Sequence, residues 1–283
     1  DLVRLVRCAP RPGSPASTSS CGDGSPCAER CACCASLPCH SGAGAVTETD
    51  VLGEPAELLR PADESDHEVV AAIHLAARRE AAMPPGIHTD DAVRSWLGGR
   101  LQSDEVWIAE VDGSPAGYAR LTESWLDDLY VAPPYARKGV GTALLDLAKA
   151  RRPSGFCLWV FEMNVAARAF YERHGLVELE HTDGSANEEK TPDIRMAWPG
   201  EDPLVFYRGL IDEVDEQLGE LLARRVALTR AVQPHKTDTA RDPAREREIA
   251  EAMALRAPGL GADRLGRIVD AIVTESLDAA GPG

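Results

Sequence analysis

The sequence changes its period once, and that change constrains the fold more than any other feature. Residues 56–199 alternate short apolar runs with helix-like stretches, whereas residues 203–280 carry apolar side chains at intervals of three and four throughout. The first pattern describes strands and helices packed in layers; the second describes helices alone. Pro199-Gly200-Glu201-Asp202-Pro203 separates them and reads as a linker. Residues 1–55 follow neither pattern. They are rich in Ser, Pro, Gly and Ala and hold seven of the eight cysteines, between Cys8 and Cys39. Zinc sites pair one CxxC with a second, but here the spacing is irregular and the apolar content too low to offset ordering entropy. The expectation is a disordered leader with no metal site. The first Met is Met83, so we also expect that translation starts downstream, at Val46 or Val51, which the intact mass of the native protein would check.

Composition narrows the class. The net charge of −16 repels phosphate backbones, so no nucleic-acid partner is expected. No apolar run reaches the roughly 18 residues that span a bilayer, and Arg4, Arg7, Pro10 and Pro12 interrupt the N-terminus. No membrane partner and a cytoplasmic location follow as expectations.

Within 56–199 the pattern predicts a strand at 58–60, helices near 66–82 and 89–102, and a hairpin. The hairpin joins 106–111 to 116–121 through Asp112-Gly113-Ser114-Pro115. Strands follow at 126–131, 156–161, 177–180 and 194–198, with helices at about 141–151 and 164–174. Gly175 suits the residue just past a helix end. Met83 to His88 reads as a helix–helix loop more readily than as a pocket rim.

The stretch from Leu129 to Leu145 carries chemistry. A strand, Leu129-Tyr130-Val131, enters a short loop, and Arg137-Lys138-Gly139-Val140-Gly141-Thr142 opens a helix. The glycines admit close approach, and the free amides of the first helical turn face an anion with help from the helix dipole and two cations. On its own this is a pyrophosphate site or a plain Gly-rich turn.

Together with Asn164-Val165-Ala166-Ala167-Arg168-Ala169-Phe170-Tyr171 and the Gly175-Leu176 exit, the stretch resembles the acyl-CoA motifs of the GNAT acetyltransferases. The resemblance implies an α+β GNAT fold, a mixed and mostly antiparallel sheet with helices on both faces. It implies acetyl-CoA as acyl donor and a small amine as acceptor. Backbone groups of Leu129, Tyr130 and Val131 would pair with the pantetheine arm, the amides from Arg137 to Thr142 would hold the pyrophosphate, and Asn164 would contact the cofactor. Tyr171 would protonate the departing thiolate, a task suited to a phenol of pKa ~10. The motif has Ala136 where the family often has Gln or Arg. For the base that relieves the amine of its proton, Glu123, Asp127 and Asp128 are candidates, with Asp128 the residue carried forward. Strand alternation sends Asp127 and Asp128 to opposite faces. His174 reads as structural, a cation at a helix end.

In 203–280 the seam Ile211, Val214, Leu218, Leu221, Leu228, Val232 carries Arg225, and Arg208 extends it. An Arg on an apolar seam is costly unless partnered, so two of them with Lys236 point to a small polyanion. Ser276 shares the apolar face of the last helix, where it back-bonds its helix or reaches a ligand. Asp242-Pro243 reads as an N-cap with Pro at the first helical position. Arg208 to Asp215, Leu221 to Arg225, Lys236, Arg241 to Glu246 and Glu275-Ser276 together resemble the all-helical (type II) chorismate mutases. That resemblance implies a three-helix domain that dimerises, and chorismate as the second substrate. Arg208 from one chain, with Arg225 and Arg245, would hold two carboxylates. Lys236 would face the ether oxygen, and Asp242, Glu246 and Ser276 would position the hydroxyl and a carboxylate. Catalytic weight would fall on Arg208, Arg225, Lys236 and Glu246. Ala280 stands where the family has Gln or Glu, Pro234 should kink the first helix, and the link from Lys236 to Asp242 is short. The alternative is a weak or inactive chorismate-binding or dimerisation module.

Overall fold

The computed structural model describes residues 57–235 and 241–280. The chain divides into two compact units between Trp198 and Pro199. The leader with its seven cysteines, and Lys236, lie outside the described residues. No helix among the described residues is long and apolar enough to cross a membrane.

The first unit runs β1 (Glu57–Pro61), α1 (His67–Glu80), α2 (Asp90–Ser103), β2 (Glu105–Val111), β3 (Ser114–Leu121), β4 (Leu126–Val131), α3 (Val140–Arg151), β5 (Phe156–Phe161), α4 (Val165–Arg173), β6 (Val177–Thr182) and β7 (Asp193–Trp198). Strands β1 to β4 form one antiparallel sheet in chain order, and β5, β7 and β6 form another, with β7 central. A single parallel bridge, Trp125 to Cys157, joins them where β4 and β5 begin. Beyond it, among the described residues, β4 has β3 on one side only, which leaves its other edge free.

Local chemistry explains the turns. Asp112 and Gly113 both have positive φ, 52° and 72°, as a two-residue hairpin demands, so Ser114 already pairs with Val111 in the sheet. Thr89 caps α2 by accepting from the amide of Ala92, and Gly175 turns the chain out of α4 at φ 82°. The hairpin face bearing Val106, Ile108 and Tyr118 packs under α1 and α2 through Val70, Ile73 and Leu97. The opposite face, with Ala109, Ala119 and Leu121, packs on Leu144 and Leu145 of α3. Gly117 makes the second packing possible. A Cβ there would sit 2.9 Å from the Tyr130 carbonyl oxygen and 3.0 Å from Val140.

The second unit has three helices, α5 (Pro203–Val232), α6 (Pro243–Arg256) and α7 (Gly261–Ala280). Asp202 and Asp242 cap α5 and α6, each followed by Pro in the first turn. Pro234 does not kink α5. The helix ends at Val232, and Gln233–His235 follow as one 3-10 turn, because proline lacks the donor that another α-turn needs. The core is small, built on Ala250, Leu265 and Val269. None of the 30 residues of α5 is buried, and Ile211, Val214, Leu218, Leu221 and Leu228 are at least half exposed.

Candidate functional sites

In the first unit a cleft opens where β4 and β5 part. It is lined by Leu126 to Tyr130, Leu158 to Phe161, Asn164 and Tyr171, with His74, Arg78 and Met83 from the α1 side and Glu188 and Glu189 from the loop between β6 and β7. Met83 therefore stands on the cleft rim, where the sequence favoured a plain loop. Glu188 and Glu189 are each held by a side chain from α1 or the loop after it. Arg78 meets Glu189 at 2.6 Å and His88 meets Glu188 at 2.8 Å.

Beyond the end of β4 lies the glycine loop. Gly139 is the N-cap of α3 at φ 93°, and no side chain caps the helix. The first in-helix bond is made by the amide of Ala143 to the Gly139 carbonyl, so the amides of Val140, Gly141 and Thr142 precede the helical ladder. Arg137 holds φ 60°, unusual for a residue with a side chain, and Arg137, Lys138 and Gly139 are exposed while Val140 is buried as the anchor. His174 supports this loop in a way the sequence did not suggest. Its Nδ1 lies 2.8 Å from the Phe170 carbonyl and its Nε2 3.2 Å from the Thr142 hydroxyl. The carbonyl can only accept, so Nδ1 donates to it. The ring thus ties the end of α4 to the start of α3.

Across the cleft, Asn164 caps α4 through Oδ1, which accepts from the amide of Ala167. Its amide group remains available to the cleft it lines. Tyr171 is buried, and that burial, with Tyr130 and Asp128 nearby, raises its phenol well above the usual value. It therefore stays protonated and able to donate.

The acidic pair on β4 departs from simple alternation. Residues 117 to 120 pair with 131 to 128, but Leu121 pairs with Leu126, so Asp127 is the extra residue of a bulge. The bulge turns both carboxylates toward Arg120. Its Nε donates to Asp128 at 2.5 Å, and its NH1 stands 2.7 Å from Asp104 and 3.8 Å from Asp127. The guanidinium also lies over the Trp96 ring. Burial pushes Asp127 up to about 6 against the opposing pull of Arg120, and its Oδ2 is buried with no hydrogen-bond partner. Glu123 is exposed.

The second unit has a pocket of its own, lined by Arg225, Thr229, Gln233, Arg241, Asp242, Arg245 and Glu246 over the apolar Ile249, Val273 and Leu277. Arg225, Asp242, Arg245 and Glu246 are thus brought together. Arg225 donates to the Ile272 carbonyl at 3.2 Å. Asp242 accepts from the amides of Ala244 and Arg245, its capping duty. Glu246 is gripped by Arg241, which also binds Asp270 and Thr274. Ser276 is buried and donates to Ile272 in its own helix, outside the pocket lining. Arg208 is exposed and does not reach the pocket.

Sequence reasoning gave no role to His74, Arg78, Tyr118, Arg120, Glu188 and Glu189, nor to Thr229, Gln233 and Arg241. Arg120 left one readable trace, a lone cation inside the apolar run Ala116 to Leu121. The others sit far in sequence from the groups they meet, and no local spacing marks them.

The chain was compared with known proteins. Residues 102–178 match the Acetyltransferase (GNAT) domain family and residues 207–280 match the family Chorismate mutase type II. The uncharacterized N-acetyltransferase YafP of Escherichia coli is 32% identical over 100 residues, 35% of this chain and 58% of the relative. The peptidyl-lysine N-acetyltransferase YiaC of the same organism is 31% identical over 102 residues, 35% of this chain and 66% of the relative. This chain therefore spans less than two thirds of either of these two. An uncharacterized N-acetyltransferase of Archaeoglobus fulgidus is 31% identical over 108 residues, 33% of this chain and 72% of the relative. With the splayed sheets, the glycine loop and the three-helix unit described above, these matches show that the chain belongs to the GNAT acetyltransferases and carries a type II chorismate mutase domain after the acetyltransferase unit.

Proposed function

We propose that the first unit transfers the acetyl group of acetyl-CoA to a small primary amine. One observation carries this reading. A single cleft joins the free strand edge of β4 to a buried tyrosine and a bulged carboxylate pair, and an uncapped helix start lies beyond the end of that same strand. The turn Arg137 to Thr142, exposed from Arg137 to Gly139, suits a pyrophosphate: unpaired amides, a helix dipole and two cations converge there. Leu129, Tyr130 and Val131 offer the edge for the amides of the pantetheine arm. Asn164 adds a side-chain amide. Tyr171 supplies the proton that the sulfur needs as the C–S bond breaks. On the acceptor side, Asp127 with its partnerless oxygen and Asp128 give the negative field that a cationic amine needs, and Asp128 belongs to the base system. Thiol release from acetyl-CoA by the full chain, with and without primary amines, tests this. Release that does not depend on amine refutes it.

The second unit, we infer, binds chorismate and rearranges it to prephenate as a homodimer. The supporting observation is the cationic pocket beside an exposed seam. Arg208 precedes Arg225 on the same continuous helix by about 25 Å at ~1.5 Å per residue, so one chain cannot bring both to one ligand. A second copy laid antiparallel on the apolar stripe of α5 would do so and would bury Ile211, Val214, Leu218, Leu221 and Leu228. Arg225 and Arg245 then take the carboxylates, with Lys236, Asp242, Glu246 and Ser276 in the roles their positions imply. No nucleophile is required, because holding a reactive conformer and stabilising charge at the breaking ether suffices. Loss of chorismate absorbance with the full chain tests turnover. Binding without turnover would instead favour a regulatory or dimerisation module, the reading to which Ala280 lends weight. A cytoplasmic location is part of the same proposal.

A further inference from the structure

The cleft of the first unit contains a buried histidine that the acetyl-transfer reading has not yet used. His74, on α1, is 6% exposed and lines the cleft with Asp128, Tyr130 and Tyr171. Its Nδ1 lies 2.8 Å from the Tyr118 hydroxyl. The Asp128 carboxylate faces that same hydroxyl and, after burial, is the main influence raising its pKa. A carboxylate held on Arg120 accepts, and a Tyr118 proton turned toward it leaves the phenol oxygen to accept from Nδ1 of His74. That leaves Nε2 with its lone pair. Among the described residues Nε2 has no hydrogen-bond partner, it is not among the sealed polar atoms of the unit, and the ring lines the cleft. The Tyr130 ring packs tilted against the imidazole, with centroids 4.5 Å apart and planes at 51°.

We propose that His74 is the group that takes the proton of the acceptor amine, and that Tyr118 and Asp128 are positioning residues that hold its ring in the Nδ1–H form. The proposal rests on the acetyl-transfer reading and deepens it. In the step the acceptor, once its extra proton has gone to solvent, reacts as the neutral amine: one N–H proton passes to Nε2 while the nitrogen electron pair forms the C–N bond to the thioester carbonyl carbon. The C–S bond breaks, and the sulfur takes the proton of Tyr171. His74 ends with one proton more and Tyr171 with one fewer, and exchange with solvent restores both. The ring is suited to this because it is neutral beforehand. Burial lowers its pKa, Arg78 and Arg120 act in the same direction, and Asp128 opposes them. The arrangement also explains why Asp128 need not act directly: Arg120 holds it at 2.5 Å, whereas Nε2 is free. The chemistry favours a primary amine that enters from the α1 side, past Met83 and the Glu188–Glu189 loop.

Two measurements on the full chain test it. The first is nitrogen-15 NMR of the imidazoles near neutral pH, with the His74 signals identified by their absence in H74Q. The expected result is a neutral ring protonated at Nδ1 in the native chain, with the other tautomer appearing in D128N or Y118F. A ring protonated at Nε2, or a cationic ring, in the native chain overturns the proposal. The second uses butylamine as acceptor probe and follows thiol release from acetyl-CoA. H74Q should lose on the order of 10²-fold or more in kcat, with KM for acetyl-CoA unchanged. Amine-dependent release that H74Q leaves intact overturns the role of His74 and spares the acetyl-transfer reading. Absence of amine-dependent release in the native chain overturns both.

Discussion

The bulge at Asp127 makes a prediction that needs no ligand. Burial holds the Asp127 carboxyl at about 6 in the folded chain, against 3.8 for the free side chain. The folded state therefore binds this proton more tightly than the unfolded state does. A raised carboxyl favours folding while protonated, so its contribution weakens as pH rises from about 4 through 6 and is unfavourable above that. Roughly two pKa units correspond to about 3 kcal/mol. The side chain is only 3% exposed, so solvent screening does not erase this. Asp127→Asn keeps the shape and removes the charge. It should raise the stability of the first unit by up to about 3 kcal/mol at pH 8, and the gain should vanish toward pH 4. All five tryptophans, Trp96, Trp107, Trp125, Trp159 and Trp198, lie in the first unit, so their fluorescence during urea unfolding reports that unit alone. A difference between variant and native chain that does not change with pH, or a variant less stable at pH 8, would refute the account of a buried, poorly compensated carboxylate.

Other outcomes follow from the same geometry. Arg120→Met should cost about 3–5 kcal/mol in the same fluorescence assay, because it strands the carboxylates of Asp104, Asp127 and Asp128 in the interior. Gly117→Ala should cost about 1–3 kcal/mol and lower the thermal midpoint, since the added methyl meets the Tyr130 carbonyl and Val140, neither of which can retreat without moving β4 or α3. Tyr171→Phe should reduce kcat about 10²-fold or more while calorimetry finds CoA binding nearly unchanged, because the lost hydroxyl acts on the leaving sulfur and not on the anchor.

Legibility in the sequence followed the range of the interactions. The Asp112-Gly113 turn, the Thr89 and Asp242 caps and the Gly175 exit are decided by neighbours a few residues apart, and local propensity exposes them. The helix start at Gly139 belongs with them. Strand alternation failed at Asp127 because a bulge is written in the pairing of β3 with β4, not in the residues of β4 alone. Likewise His74 meets Tyr118 across 44 positions, and Glu188 and Glu189 reach back to α1 and its following loop across 100 and 111. Such contacts have no spacing to read. In the second unit the seam was legible as a period of three and four, while the grip of Arg241 on Glu246 and Asp270 depends on how α6 and α7 cross. Pro234 shows the opposite case: its effect was foreseen, but the chain uses it to stop α5 instead of bending it.

The central claim is that the helix start at Gly139 and the free edge of β4 form one acyl-CoA site. Calorimetric titration of the full chain with CoA, beside the same titration of Gly139→Val, tests it most directly. Valine at φ 93° should displace the loop and block approach of the pyrophosphate to the first-turn amides. The account predicts one site per chain with micromolar affinity, weakened about tenfold or more in the variant while the tryptophan signal of the fold is retained. No binding to the native chain, or equal binding to both, would contradict it.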